Sequence, residues 1–219
     1  MENTKNTVLL TIIAVATLLV AVVGATFAYF QAQGGSSKTA AVNVATGTAG
    51  NLSFGTFGAI NIYADQSNFA SGQGDKTGSS TGTVSWTAPG ATASTTPAAA
   101  DRTICYTAAL AITTNTFTKS TANTSNLNEL EFSAVKDSTT LIDKQSLVTL
   151  SSGAAVTGTI NIPTAKGGTT YKHTLTADAG KTVSNAWTFT VTLKNLTVDQ
   201  QQNTGKSFAG TIKFTKVDC

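Results

Sequence analysis

Two apolar patterns divide the chain. From Val8 to Phe30 apolar residues run almost unbroken, interrupted only by Thr11, Thr17, Gly24 and Thr26. A run of that length can span a bilayer, and it can equally be the hydrophobic region of an export signal. Its end, Val23-Gly24-Ala25-Thr26-Phe27-Ala28, puts small residues where signal peptidase needs them. Cleavage after Ala28 leaves Tyr29-Phe30-Gln31 at the new terminus, and cleavage after Ala25 is the alternative. Lys5 and the α-amino group are opposed by Glu2, so flanking charge orients the segment only modestly. Residues 1–28 are therefore a signal peptide or a retained membrane-spanning helix. Either reading places the rest of the protein outside the cell or on its surface.

The second pattern has a period of two. Ile104, Tyr106, Ala108, Leu110 and Ile112 alternate with Cys105, Thr107, Ala109 and Ala111, predicting a half-buried strand. Trp187, Phe189, Val191 and Leu193 alternate with threonines, and Phe208, Gly210, Ile212 and Phe214 repeat the pattern near the end. Shorter candidates lie at 40–45 (Val42, Val44), Leu52/Phe54, Ile60/Ile62, Val84/Trp86, 129–135, 140–142, 147–150, 156–162 and 171–177. Glycines predict a surface loop over 67–82; Pro89 and Pro97 predict another over 88–100. Strands with one apolar face need a second layer to cover it. With no interior helix in the pattern, the economical fold is all-β, a jelly-roll-like, two-sheet antiparallel sandwich over 40–219. The expected core includes Tyr106, Leu110, Trp187, Phe189, Val191, Phe208, Ile212 and Phe214. Residues 29–39, with Gly34-Gly35 inside them, read as a short apolar segment followed by a flexible joint.

Composition narrows the function. Removing residues 1–28 leaves 13 Lys and Arg against 10 Asp and Glu, thinly spread, with a single Arg. Nucleic-acid binding needs a concentrated basic footprint, which this chain lacks. Cys105 and Cys219 form a candidate disulfide in an exported protein; two free thiols or an intermolecular bond through Cys219 are the alternatives.

The search for catalytic chemistry finds none. His173 is the only histidine and sits in a strand pattern, where a half-buried or surface position is expected. There is no G-x-S-x-G elbow, no H-E-x-x-H and no C-x-x-C. Glu129 and Glu131 share a strand parity; such a pair could bind calcium or act in glycoside chemistry, and a solvated strand face explains it equally. The reading is of a non-enzyme with no metal and no cofactor.

The ends of the chain carry a resemblance. Gly24-Ala25-Thr26-Phe27-Ala28-Tyr29-Phe30 resembles the signal-peptide end of the TasA/camelysin-like family of exported proteins, with a SipW-type signal processed by a dedicated signal peptidase. The stretches 187–196 and 199–212 resemble that family's penultimate strand, its N-rich loop and its last strand. The resemblance implies a structural subunit of a biofilm-matrix fibre or a related pilus, in contact with copies of itself and with the cell envelope. In such fibres the residues after the cleavage site complete a neighbour's sheet. Here they are Tyr29, Phe30, Gln31, Ala32 and Gln33, with Gly34 and Gly35 as the hinge. The competing expectation is a membrane-anchored adhesion module, with Tyr63 or Trp86 offered to carbohydrate. The single histidine argues against carrying over the proteolytic activity described for camelysin members.

Overall fold

The computed structural model describes residues 50–90 and 97–219. The apolar run, Ala28, the segment 29–33, Gly34, Gly35 and the expected strand over 40–45 lie outside the described residues. Ten strands follow in order: β1 Asn51–Phe54, β2 Ile60–Tyr63, β3 Lys76–Thr87, β4 Thr103–Asn115, β5 Leu130–Lys136, β6 Thr139–Ser146, β7 Gly158–Asn161, β8 His173–Thr176, β9 Thr182–Leu193 and β10 Ser207–Val217. Single 3₁₀ turns occur at Gln66–Phe69, Ala100–Arg102 and Gln201–Asn203.

The strands form two antiparallel sheets. One runs β1-β3-β9-β5-β6; the other runs β2-β10-β4, with β7 and β8 end to end along the outer side of β4. Setting β1 aside and counting β7 with β8 as one interrupted strand leaves eight strands. Numbered in chain order, they lie 1-8-3-6 and 2-7-4-5, the double Greek key of a jelly roll. All eight expected core residues are buried. Trp187 and Phe189 stack with centroids 5.3 Å apart, and Phe214 from the facing sheet meets Trp187 edge-on at 5.7 Å. Each such aromatic contributes on the order of 1.5–3 kcal/mol by leaving water.

Several expectations need correction. The loop over 67–82 is half strand: β3 begins at Lys76 and pairs with β9 through all twelve residues, Lys76 opposite Leu193 and Thr87 opposite Thr182. Glycine hid it, because glycine weakens a strand pattern while here it permits close packing. A Cβ on Gly78 would lie 2.9 Å from the Asn61 carbonyl oxygen, and one on Gly82 2.7 Å from the Phe57 ring. β1 and β2 belong to different sheets, paired with β3 and β10. The short candidate at 140–142 extends through Asp143 and Lys144 to Ser146 as β6, whereas 147–150 forms no strand and holds only an isolated bridge from Val148 to Ala155. A register irregularity against β5 absorbs the positive φ of Lys144 (50°), and the Ser133 hydroxyl accepts the Lys144 N–H at 3.1 Å. Strand structure begins only at Gly158 and His173 in the segments expected to start at 156 and 171.

Candidate functional site

A sandwich has two lateral sides where its sheets meet edge to edge, and here they differ. On one, β2 lies against β3. The free backbone edge of β3 before Val84 faces no described strand, yet the space between the sheets is filled by Ile60, Ile62 and the Phe57 ring resting on Gly78 and Gly82. On the other, β6 of one sheet and β7 of the next diverge. Between them opens a cleft of about 620 Å³, lined by Leu141, Ile142, Gln145, Ile160, Pro163 and Tyr171. Among the described residues β6 pairs only with β5, and β7 only with β4, so both rims present unpaired backbone groups to the cleft. Such rims are templates for an added strand.

Local sequence explains why this side stays open. β7 is confined to four residues between Gly158, whose φ of 87° suits glycine, and Pro163, which cannot donate to a ladder. The chain then turns through Gly167-Gly168, closed by Gly168 N–H donating to Ala165 O and Thr164 N–H to Thr170 O. Tyr171 is left 39% exposed. The back of the cleft is tied: Val156 N–H donates to Leu147 O at 2.9 Å, and the Asn115 amide bridges Leu147 O and Val156 O at 2.8 and 3.0 Å. At its mouth Lys166 Nζ reaches Asp143 on β6 at 2.7 Å. That bond holds the Asp143 carboxyl below the usual carboxylate range.

The polar side chains singled out in the sequence lie elsewhere. Glu129 is not on a solvated face: it is 1% exposed and its carboxylate accepts five hydrogen bonds. Oε1 takes Ser120 N–H at 2.6 Å and Asn123 Nδ2 at 2.9 Å. Oε2 takes Ser120 Oγ at 2.6 Å, Asn203 Nδ2 at 3.0 Å and Gln200 Nε2 at 3.1 Å. Every partner donates, so this is an anchor for the β4–β5 and β9–β10 loops and not a cation site, because a cation needs free lone pairs. Glu131, at the same parity, is partly exposed on β5. Sequence could have flagged Glu129 only through the amides that converge on it from 70 residues away.

His173 is also fully buried, against the expectation of a half-buried or surface position. It stacks on Tyr106 at 5.4 Å and meets Trp187 edge-on at 5.0 Å. Nε2 lies 3.1 Å from the Ile162 carbonyl oxygen, which can only accept, so Nε2 carries the proton and Nδ1 is an acceptor without a partner. Burial depresses its pKa from 6.5 to about 4. Tyr106, whose hydroxyl donates to Asn185 Oδ1 at 2.7 Å, is pushed the other way by the same desolvation. These contacts fasten the segment after β7 to the core.

Cys105 and Cys219 are joined, with Cα atoms 5.1 Å apart, tying the chain end to β4. Trp86, considered for carbohydrate, is buried with its indole N–H donated to Arg102 O at 2.9 Å; Tyr63 is exposed. Among the described residues no cluster of three His, Cys, Asp or Glu side chains is arranged for a metal, and no helix is long and apolar enough to cross a membrane. No protein-family model, no curated protein and no solved structure matches the chain.

Proposed function

We propose that the protein is an exported structural subunit that polymerises head to tail, the segment 29–33 of one copy adding a strand in the β6–β7 cleft of the next. The observation that carries this is the position of the cleft relative to the N-terminal side of the domain. β1, where the described chain begins, is at one edge of its sheet, and β6 is at the opposite edge, with three strands between them. A tail attached at one edge and a receptor on the other make a heterologous contact, and repeated heterologous contacts give a filament unless the rotation closes a ring. Residues 29–49 can extend at most about 70 Å, well beyond the roughly 40 Å length of a twelve-residue strand. Tyr29 and Phe30 bring apolar area to a cleft walled by Leu141, Ile142 and Ile160. Cleavage by a signal peptidase after Ala28 would free that tail, and assembly would take place outside the cell or on its envelope.

The experiment is deletion of residues 29–33 from the exported protein. The expected outcome is a folded monomer, unchanged in urea midpoint and without filaments by negative-stain microscopy. Normal filaments from the deletion variant would remove the proposal. A second reading rests on Tyr171, half-exposed near the Gln145 and Asn161 amides, a grouping suited to a sugar ring. Under that reading the protein is a surface adhesion module, and glycan-array binding lost in Tyr171→Ala would support it over the first.

A further inference from the structure

The cleft has a bar across it. Its back end is fixed by backbone and Asn115 hydrogen bonds, but its mouth is crossed among the described residues by a single ion pair, Lys166 to Asp143. The partners belong to different walls. Asp143 stands on β6, the rim that offers unpaired backbone groups. Lys166 stands on the β7–β8 turn, beside Gly167 with φ 73°, in a loop closed by its own hydrogen bonds. Asp143 and Lys166 both line the cleft, and their side chains stay 43% and 63% exposed.

We infer that the Lys166–Asp143 ion pair is a latch on the β6–β7 cleft, one that an incoming strand must break before it can pair along β6. The inference rests on the donor-strand reading above. A strand added along the outer edge of β6 has to pass between Asp143 on that rim and Lys166 on the facing wall, across the line of their bridge. The pair therefore bars the mouth of the empty cleft and is absent from the filled one, so it slows assembly without affecting the fold. Its size limits the effect. An exposed pair contributes little in water and is screened by salt, so its removal speeds strand addition by about two- to fivefold and no more.

The test uses the exported protein, seeded with its own sonicated filaments, with elongation followed by light scattering at low and at high salt. Lys166→Ala and Asp143→Asn should each elongate about two- to fivefold faster than wild type at low salt. The advantage should vanish at high salt, where the wild-type pair is already screened. The exchanged variant, Asp143→Lys with Lys166→Asp, should return to the wild-type rate, which a purely steric effect of either side chain would not do. Urea midpoints equal to wild type confirm that the variants fold. Filaments growing at identical or slower rates in the single variants would dispose of the latch and leave the donor-strand reading standing. No filaments from any variant or from wild type would remove the reading, and the latch with it.

Discussion

At the β2–β3 side the sheets close on each other because the chain supplies glycine where they touch; at the β6–β7 side they part because it supplies a proline, a positive-φ glycine and a charged turn. Both sides carry backbone edges that no described strand satisfies. The difference is the space behind the edge. Gly78 and Gly82 let the Asn61 carbonyl and the Phe57 ring approach to where a Cβ would stand, so nothing can be inserted there. Across the molecule, four residues of β7 face eight of β6, and the unmatched length leaves a cleft. Free hydrogen-bonding groups make an edge sticky; only an edge with room for side chains behind it makes a receptor.

The comparison can be challenged by mutation. The largest loss is expected away from both sides, at the loop anchor, and sets a scale for the rest. Glu129→Gln replaces one of the two accepting oxygens with an NH2 that faces two or three donors, leaving buried groups unpaired at a cost of about 3–4 kcal/mol in urea unfolding. Next comes Gly78→Val, which forces a side chain against the backbone of β2 and should cost about 2–3 kcal/mol. The matching enlargement on the open side, Thr159→Ile on exposed β7, should change stability by less than about 0.5 kcal/mol. Equal losses at the two positions would contradict the distinction between a closed and an open side.

Acid should act through the buried His173. Native His173 stays neutral down to about pH 4, whereas the unfolded chain protonates near 6.5. Between those values the unfolded state binds the extra proton, so stability is full above pH 6.5 and falls as pH drops toward 4, by at most about 3 kcal/mol. Urea midpoints at pH 7, 5.5 and 4 measure this. His173→Phe should be less stable at pH 7, because Ile162 O loses its donor, and should flatten the profile between pH 6.5 and 4. An equally steep profile in that variant would assign the acid sensitivity to other groups.

Reading strands from the chain worked where apolar residues mark every second position. β4, β9 and β10 announce themselves through Tyr106, Trp187 and Phe214 and their alternating neighbours, because burial of one strand face is a local demand written at period two. It failed over the first half of β3, whose inner positions 78, 80 and 82 are Gly, Ser and Gly, while Val84 and Trp86 mark the rest of that strand. Their burial comes from β2 and Phe57 pressing close, and no apolar side chain records it. It failed again at Glu129, whose exposure looked ordinary until Gln200 and Asn203 arrived from the β9–β10 loop. The cleft was invisible for the same reason: Leu141, Ile160 and Tyr171 are scattered over 31 residues and share a wall only because the Greek key brings β6 and β7 to one side.

Composition and strand parity depend on residues within a few positions of each other, and from them come the all-β class, the two covered faces and the identity of the core aromatics. Which edges end uncovered, which glycines are compressed and which carboxylate is buried depend on partners brought from the far side of the chain. Closing loops over such distances costs entropy and obeys the topology of the whole sheet, so no local pattern encodes it. The cleft between β6 and β7 is a property of that packing.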